Sequence, residues 1–368
     1  MKLQLKNRVS VDLWLIIVCC VVGTFLFSYV AFVITQDQIP PSFLQLWNRW
    51  DTINYLFIAE HGYTGPLKRH FVIVYMPFYP LLVKLFSFVL KNYLLSALVV
   101  SNLAYAAAGY FLYKLTRLEY SEDTALRAVF YFSIFPTAYF LHIGYTESLF
   151  LALVISSYYF ARKGRWALCA VCGMLATGTR MTGVVLIPVL ALEYLDQIGF
   201  QLKRLKKDFL WLALVPLGTI AYLVINYLVF GDPFKFLDIL HTSFHKHLSW
   251  PYNGALSTWA RIWHGSPSYN MTLGLGELAF AVFGFIFTLW ALLRLRISLK
   301  VYVLLTWLII TSTSFWLSIP RYTLSIFPIF IALSLLGRRR GVGYVIAFSS
   351  LLFYALFLVH FIHGYWAF

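Results

Sequence analysis

Charged residues are scarce in this chain: Asp, Glu, Lys and Arg make up 12% of its 368 residues, about half of the usual share in a soluble protein. Hydrophobic residues reach 61% and the mean hydropathy is +0.77, which excludes a soluble globular domain and indicates a polytopic membrane protein. Acidic residues are fewer than basic ones, 14 against 29, and the net charge is +15. In a membrane protein this excess indicates basic cytoplasmic loops and contact with anionic lipids, so we expect no nucleic-acid partner.

Cysteines and closely spaced acids are also sparse. Of the four cysteines, Cys19 and Cys20 are adjacent in one apolar run, and Cys169 and Cys172 lie one helical turn apart in another. Neither pair has the His or acidic neighbours that a zinc site needs, so packing is the expected role. Asp51 has no acid two residues away to form the Asp-x-Asp pair that clamps a divalent ion. No P-loop, dinucleotide loop or Ser-His-Asp signature is evident, and we expect neither a metal nor another cofactor.

Long apolar runs dominate what is present, and eleven of them are of spanning length or slightly less. They cover residues 11–34, 94–115, 125–141, 147–161, 166–180, 183–199, 209–230, 273–293, 301–318, 322–336 and 342–363. The first is too long for a removable signal peptide and is interpreted as a retained span. The short run 80–90, which carries Lys84, is interpreted as a partial helix. We predict an all-α, polytopic membrane protein with about eleven spanning helices and one partial helix.

Basic clusters between the runs predict the topology. They are Lys2/Lys6/Arg8, Lys114/Arg117, Arg162/Lys163/Arg165, Lys203–Lys207, Arg294/Arg296/Lys300 and Arg338–Arg340. If all of them are cytoplasmic, the N-terminus lies inside and the C-terminus outside. Two large loops, about 35–77 and 231–272, then face the extracytoplasmic side. We predict a single transmembrane domain over residues 1–368.

Asp51 lies just beyond the first predicted span, with Arg49 and Trp50 before it and Glu60 and His61 after it. A carboxylate at a membrane edge is costly to desolvate and is a candidate functional group. Two interpretations stay open from position alone. A lone carboxylate suits a general base that takes a proton from an attacking hydroxyl, and Asp is also a favoured helix N-cap.

Three more charged residues, Glu147, Arg180 and Arg321, lie at predicted outer boundaries of apolar runs. An acid at the start of a helix interacts favourably with the helix dipole, but Glu147 on the same side as Asp51 is also a site candidate. Arginine presents a forked, permanently charged donor that suits phosphate; the alternative is snorkelling to lipid headgroups. Two arginines on the face of Asp51 favour a phosphorylated lipid substrate.

Histidines gather in the second outer loop. His241, His245 and His247 raise the question of zinc, but the i, i+2 spacing fits one helix poorly and only Asp238 is near enough in sequence to complete a ligand set. Contacts of these rings with headgroups or with a sugar are the favoured interpretation.

Short motifs of the chain resemble, in the same order, those of a known family. The string Trp50–Tyr63, WDTINYLFIAEHGY, is similar to the first luminal loop of the PIG-V mannosyltransferases, which are multispanning enzymes of the GT-C class. The likeness continues over roughly the first half of the chain and returns once later. The further matches are Met76–Pro80, Phe135-Pro136, Gly144–Glu147, Ala176–Arg180 and Pro320–Tyr322. The chain is compact for a eukaryotic member, so a prokaryotic relative is the preferred interpretation.

The resemblance implies an inverting transfer of mannose from a polyprenyl-phosphate-mannose donor to a lipid-linked or glycolipid acceptor at the extracytoplasmic face. By position, Asp51 would be the general base, and Arg180 and Arg321 would hold the leaving phosphate on the other side of the sugar. The remaining candidate substrate contacts are Arg49, Trp50, Glu60, His61, Tyr145, Glu147 and His245.

Two other functions stay open: a transporter or flippase for a lipid-linked sugar, and a non-catalytic scaffold of a glycosylation complex. Transporters often show two related halves with a site at the bilayer midplane, whereas the charges here gather at one face. The expected partners are the polyprenyl-phosphate-sugar donor, the lipid acceptor and anionic membrane lipids. The acceptor, the sugar and the oligomeric state are not determined by the sequence.

Overall fold

The computed structural model describes residues 11–35, 42–64, 70–264 and 273–368. These residues form helices and connecting turns, with one isolated antiparallel bridge between Leu248 and Thr313. The all-α prediction is therefore confirmed. The basic cluster Lys2/Lys6/Arg8 lies outside the described residues, as do residues 36–41 and 65–69 of the first predicted loop and 265–272 of the second.

Sixteen α-helices lie within the described ranges and are numbered here in chain order. The first eight are α1 (Val11–Ile34), α2 (Asp51–His61), α3 (Phe78–Leu90), α4 (Tyr93–Thr116), α5 (Glu122–Ser133), α6 (Glu147–Arg162), α7 (Trp166–Thr179) and α8 (Leu186–Gln197). The others are α9 (Leu217–Phe230), α10 (Lys235–Phe244), α11 (Pro251–His264), α12 (Leu275–Arg294), α13 (Ile297–Thr311), α14 (Ile319–Thr323), α15 (Pro328–Leu336) and α16 (Arg340–Ile362).

Five helical segments of the described chain are long and apolar enough to cross a membrane. They are α1, α4, Lys207–Phe230, α12 and α16. The segment Lys207–Phe230 joins a 3₁₀ helix, Lys207–Leu214, to α9. Shorter apolar helices of 10–17 residues, among them α3, α7 and α13, lie beside these spans. The total of eleven crossings stays a prediction.

Several predicted runs are interrupted, and proline marks two of the breaks. The run 125–141 divides into α5, which ends at Ser133, and a 3₁₀ turn at Ala138–Leu141, with Pro136 between them. The run 322–336 divides into α14 and α15, and Pro328 begins α15. Proline lacks the N–H that continues a helix but is favoured in its first turn. The predicted partial helix is α3, a continuous helix of 13 residues.

Helices α4, α6 and α7 form the centre of the bundle. Helix α6 packs between α4 and α7, α3 and α5 flank α4, and α13 packs against α8 and α12. Close approach is possible where side chains are small: a side chain at Gly218 of α9 would collide with the backbone of α7 at Met174 and Gly178. Because α4 and α7 both pack against α6, the position of its first residue, Glu147, is fixed.

Helix α6 connects two polar ends of the bundle. It runs for 16 residues from Glu147 to Arg162, so its ends are about 22 Å apart at 1.5 Å per residue. At the Arg162 end, Arg296 lies 2.6 Å from Asp196, and Arg162 lies 2.6 Å from Glu119. Two of the basic clusters that the sequence assigns to the cytoplasm therefore share one end of the molecule.

The second large loop folds onto the segment that precedes Arg321. The N–H of Ser249 donates to the carbonyl of Ser312 at 3.2 Å, and the N–H of Ser314 donates to the carbonyl of His247 at 3.0 Å. This short pairing holds Lys246, which lies between His245 and His247, near the polar end of the bundle opposite to Arg162.

Candidate active site

Asp51 is the first residue of α2, and Trp50 occupies the N-cap position without a side-chain cap. The N-cap interpretation of Asp51 is therefore wrong. Its carboxylate instead makes long-range contacts: Oδ1 accepts from the Tyr75 hydroxyl at 2.9 Å, and Oδ2 pairs with Arg321 at 2.8 Å. The side chain is 21% exposed, so the carboxylate is reached by solvent while its two oxygens are oriented by protein donors.

Arg321 lies at the centre of the charged cluster and is almost fully buried. Its Nη1 contacts Asp51 at 2.8 Å, and its Nε lies 3.3 Å from Oε1 of Glu147. One guanidinium thus bridges two carboxylates. Three aromatic rings surround it, with centroids 5.0–5.3 Å from Cζ: Phe140, Tyr145 and Tyr322. Such rings exclude water and favour a cation on their faces.

Glu147 is shared by both arginines of the site. It begins α6, its side chain is 1% exposed, and its Oε1 lies 2.5 Å from Nη1 of Arg180. The same Arg180 nitrogen donates to the Thr146 hydroxyl at 3.1 Å. The other oxygen of Glu147, Oε2, is buried without a hydrogen-bond partner in the described structure. A buried acceptor of this kind is costly unless a ligand or water satisfies it.

Tyr145 links the cluster to the backbone of α2. Its hydroxyl accepts the N–H of Asp51 at 3.3 Å, and its ring lies 5.2 Å from the Arg321 guanidinium. Asp51, Arg321, Glu147, Arg180 and Tyr145 therefore form one network, and the sequence predicted all five of them as site residues. The network contains two acids and two arginines in contact, so it is close to neutral before any substrate binds.

Two residues of the site were missed from the sequence. Tyr75 orients Asp51 and is itself held by the Asn54 amide at 2.9 Å. Burial, followed by the neighbouring Asp51 carboxylate, raises the pKa of Tyr75 well above its usual value, so the phenol stays protonated and donates. Lys246 places its Nζ 3.4 Å from the Leu317 carbonyl and 6.0 Å from the centre of the Tyr322 ring. Tyr75 directly precedes the Met76–Pro80 motif, and Lys246 lies between two of the loop histidines. These positions were the signals in the sequence that could have identified the two residues.

The other five predicted site residues make different contacts. Arg49 donates to the carbonyls of Leu46 and Ile362 at 3.1 and 2.9 Å, and so ties the chain before α2 to the end of α16. The Trp50 ring packs edge-on against Trp366, with centroids 4.9 Å apart.

Glu60 and His61 lie at the far end of α2, where their side chains are 52% and 35% exposed and 3.6 Å apart. His245 ends α10 in a left-handed conformation, with φ of 53°. None of these three residues takes part in the contacts that form the charged network. Across the described residues, no group of three His, Cys, Asp or Glu side chains is placed to hold a metal ion.

Comparison with known proteins decides the family. The sequence model described as Mannosyltransferase (PIG-V) matches residues 18–247. The chain belongs to the PIG-V mannosyltransferase family. The match includes Asp51, Tyr145, Glu147 and Arg180 and ends before Arg321, which only the fold brings to the same site. Family membership, with the five long apolar helices, makes this chain an integral membrane protein.

Curated relatives of this PIG-V family member align with part of its length. GPI alpha-1,6-mannosyltransferase 2 of Mus musculus is 32% identical over 162 residues, which are 41% of this chain and 32% of that protein. GPI mannosyltransferase 2 of Schizosaccharomyces pombe is 28% identical over 187 residues, 49% of this chain and 39% of that protein. The aligned part of the chain thus spans about a third of the length of these relatives.

A solved structure shows the same fold over nearly the whole chain. ArnT from Cupriavidus metallidurans, crystallised with bound undecaprenyl phosphate, superposes with a TM-score of 0.55 over 97% of this chain and 75% of that one, at 12% identity. The predicted GT-C architecture of the PIG-V family member is confirmed.

Proposed function

We propose that this PIG-V family member transfers mannose, with inversion, from a polyprenyl-phosphate-mannose donor to a lipid-linked or glycolipid acceptor on the extracytoplasmic side. The observation that supports this most directly is the Asp51–Arg321–Glu147–Arg180 network, in which a solvent-reached carboxylate touches a buried arginine. The activity named for the mammalian and yeast relatives and the polyprenyl phosphate bound to ArnT are consistent with this substrate class.

The two arginines are the proposed phosphate site. Both are held close together by the Oε1 atom of Glu147, and forked guanidinium donors are the groups that bind phosphate oxygens best. When the bond from the anomeric carbon to the donor oxygen breaks, the electron pair leaves with the polyprenyl phosphate. The arginines stabilise that added charge. Because Glu147 already holds the two guanidinium groups together, they need little reorganisation relative to each other at the moment of reaction.

Asp51 is the proposed general base. An acceptor hydroxyl attacks the anomeric carbon from the face opposite the phosphate, and its proton passes to the Asp51 carboxylate. In the structure, Asp51 and Arg321 are in direct contact, whereas the proposed reaction places them on opposite sides of the sugar. Entry of the donor sugar between them would separate the pair and free Oδ2, while Tyr75 continues to orient Oδ1.

Sugar recognition is the proposed role of the remaining predicted residues. The unpartnered Oε2 of Glu147 is suited to accept a hydrogen bond from a sugar hydroxyl. The Tyr145 hydroxyl accepts the backbone N–H of Asp51 and so helps to position the base. Arg49, Trp50, Glu60, His61 and His245 lie outside the network, and we assign them to contacts with the acceptor or with the distal part of the donor.

The decisive experiment is mannose transfer by the purified protein in liposomes that contain radiolabelled polyprenyl-phosphate-mannose and a crude lipid acceptor fraction. Asp51→Asn is expected to lower the transfer rate by about 10²- to 10⁴-fold, the usual contribution of a general base. The matched control is Asp196→Asn, because Asp196 is also partly buried and paired with an arginine, Arg296 at 2.6 Å, but lies at the other polar end. We expect the control to keep near wild-type transfer.

Unchanged transfer by Asp51→Asn would remove Asp51 as the base. If the wild-type protein moved the donor across the bilayer without transferring mannose, the flippase hypothesis would replace the enzyme hypothesis. The proposed sidedness, with the N-terminus in the cytoplasm, is tested by single cysteines near positions 51 and 245, which should react with an impermeant reagent from outside, whereas one near 204 should not.

A further inference from the structure

The carboxylate of Glu277 is buried at the start of α12, and the proposed mechanism does not use it. The residue is 3% exposed, and an isolated buried carboxylate is strongly unfavourable. Here both oxygens are satisfied by consecutive backbone groups: Oε1 accepts the N–H of Ser318 at 2.6 Å, and Oε2 accepts the N–H of Ile319 at 2.7 Å. Each oxygen of this side chain therefore holds one of two successive peptide N–H groups.

The segment that Glu277 holds is the one that carries Arg321. Ser318 has a left-handed backbone, with φ of 77° and ψ of 22°, which is uncommon for a residue other than glycine and needs support from its surroundings. The next residues form the short helix α14, in which Pro320 has no N–H to donate. Two residues after Ile319, Arg321 extends into the site.

Other contacts hold α14 at different points. The Thr137 hydroxyl donates to the Pro320 carbonyl at 2.9 Å, and the Ser318 hydroxyl donates to the Phe368 carbonyl at 3.4 Å. The two hydrogen bonds to Glu277 are shorter than either of these contacts, and they bind two successive peptide N–H groups. A helix of five residues has little stability of its own, so its orientation depends on these tertiary contacts.

We infer that Glu277 is a positioning residue that holds Arg321 at the distance needed for the donor phosphate, through the backbone of Ser318 and Ile319. This inference rests on the proposed function, because it assigns Glu277 to the same reaction. Glu277 itself touches neither the Asp51 carboxylate nor the Glu147 carboxylate in the contacts described; its effect passes through the placement of one guanidinium.

The test compares Glu277→Gln, Glu277→Asp and the double variant Glu277→Gln/Arg321→Lys in the transfer assay. A glutamine keeps one acceptor but opposes its NH₂ group to the second backbone N–H. We expect kcat/KM for the donor to fall by about 10- to 100-fold, because an error of about 1 Å in a reacting group has effects of that size, while the KM for the acceptor stays unchanged. Glu277→Asp retains both oxygens and should recover part of the loss.

The double variant separates positioning from general damage. If Glu277 acts through Arg321, the loss in the double variant is smaller than the product of the two single losses. The matched control is Glu193→Gln, since Glu193 is fully buried and accepts from the hydroxyls of Tyr158 and Ser298, but at the other polar end. That control should lower the melting temperature in detergent without changing the donor kinetics.

Independent, multiplicative losses, or a Glu277→Gln protein with the donor kinetics of the Glu193→Gln control, would overturn the inference while leaving the proposed function intact. If Glu277→Gln does not accumulate, Glu277→Asp takes its place, with a smaller expected loss in donor kinetics. A loss in Glu277→Asp that multiplies with that of Arg321→Lys in the double variant would overturn the inference. A wild-type protein that transfers no mannose removes the proposed function, and the inference with it.

Discussion

Arg321→Lys is the perturbation that tests the charged network most sharply. The wild-type guanidinium reaches the Asp51 carboxylate with Nη1 at 2.8 Å and the Glu147 carboxylate with Nε at 3.3 Å. A lysine ammonium has the same charge but is a single point on a flexible chain, so it is unable to span two carboxylates in this way. The substitution therefore removes the forked geometry and keeps the charge.

The magnitude follows from what is lost. A hydrogen bond between charged groups contributes about 1.5–3 kcal/mol, and loss of one preorganised donor to a developing anion lowers kcat by about 10²- to 10³-fold. We expect Arg321→Lys to lower kcat/KM for the donor by about 10²- to 10³-fold, with most of the change in kcat. Replacement by alanine would be less informative, since an unpaired buried charge destabilises a protein by about 3–5 kcal/mol.

The assay measures initial rates of mannose transfer over a range of donor and acceptor concentrations, with the melting temperature in detergent recorded for each variant. Arg296→Lys is the matched control, because Arg296 also bridges acids, Asp196 at 2.6 Å and Glu119 at 3.8 Å, at the opposite polar end. Its transfer rate should stay within about threefold of wild type, or ~0.65 kcal/mol. Equal donor kinetics in the two lysine variants would refute the assignment of Arg321 to the phosphate.

Two further predictions test residues that the sequence did not identify as functional. Lys246→Gln should raise the KM for the donor about tenfold, or ~1.4 kcal/mol, with the acceptor KM unchanged, because its Nζ faces the Tyr322 ring that both arginines of the site also face and so adds a third cation beside the proposed phosphate site. Equal effects on the KM values of both substrates would contradict this role. Gly218→Ala should lower the free energy of unfolding by about 1–3 kcal/mol through overpacking, because the new Cβ would collide with the Met174 carbonyl. Gly341→Ala is the control, since its Cβ would meet nothing within 4 Å. Equal melting temperatures of these two variants would show that α7 and α9 are not so closely packed.

The sequence predicted the membrane class and the helical architecture because both depend on local composition. A bilayer requires long apolar segments with internally satisfied backbones, and α1, α4 and α16 occur nearly where the hydropathy places them. Breaks were harder to predict. Hydropathy continues through residues 125–141 and 322–336, but Pro136 and Pro328 divide the helices there.

Five of the ten predicted site residues form the network. Four of them were predicted because a charge at a membrane boundary is costly unless it has a partner, and Tyr145 was predicted from the family resemblance. Asp51, Glu147, Arg180 and Arg321 could therefore be selected one by one from their apolar surroundings. Tyr75, Lys246 and Glu277 could not be selected in this way. A tyrosine is common in this chain, Lys246 lies in a polar loop, and Glu277 acts through backbone atoms that leave no sequence pattern.

By itself, the sequence determined the solvent in which this chain folds, the approximate position of most helices and, through short ordered motifs, the family. Only the tertiary structure decided that Arg321 reaches Asp51 across 270 residues of sequence and that both arginines share one oxygen of Glu147. The physical reason is range: hydrophobicity and helix formation act over a few residues, whereas a charge pair at 2.8 Å depends on how α2, α6, α7 and α14 are packed together.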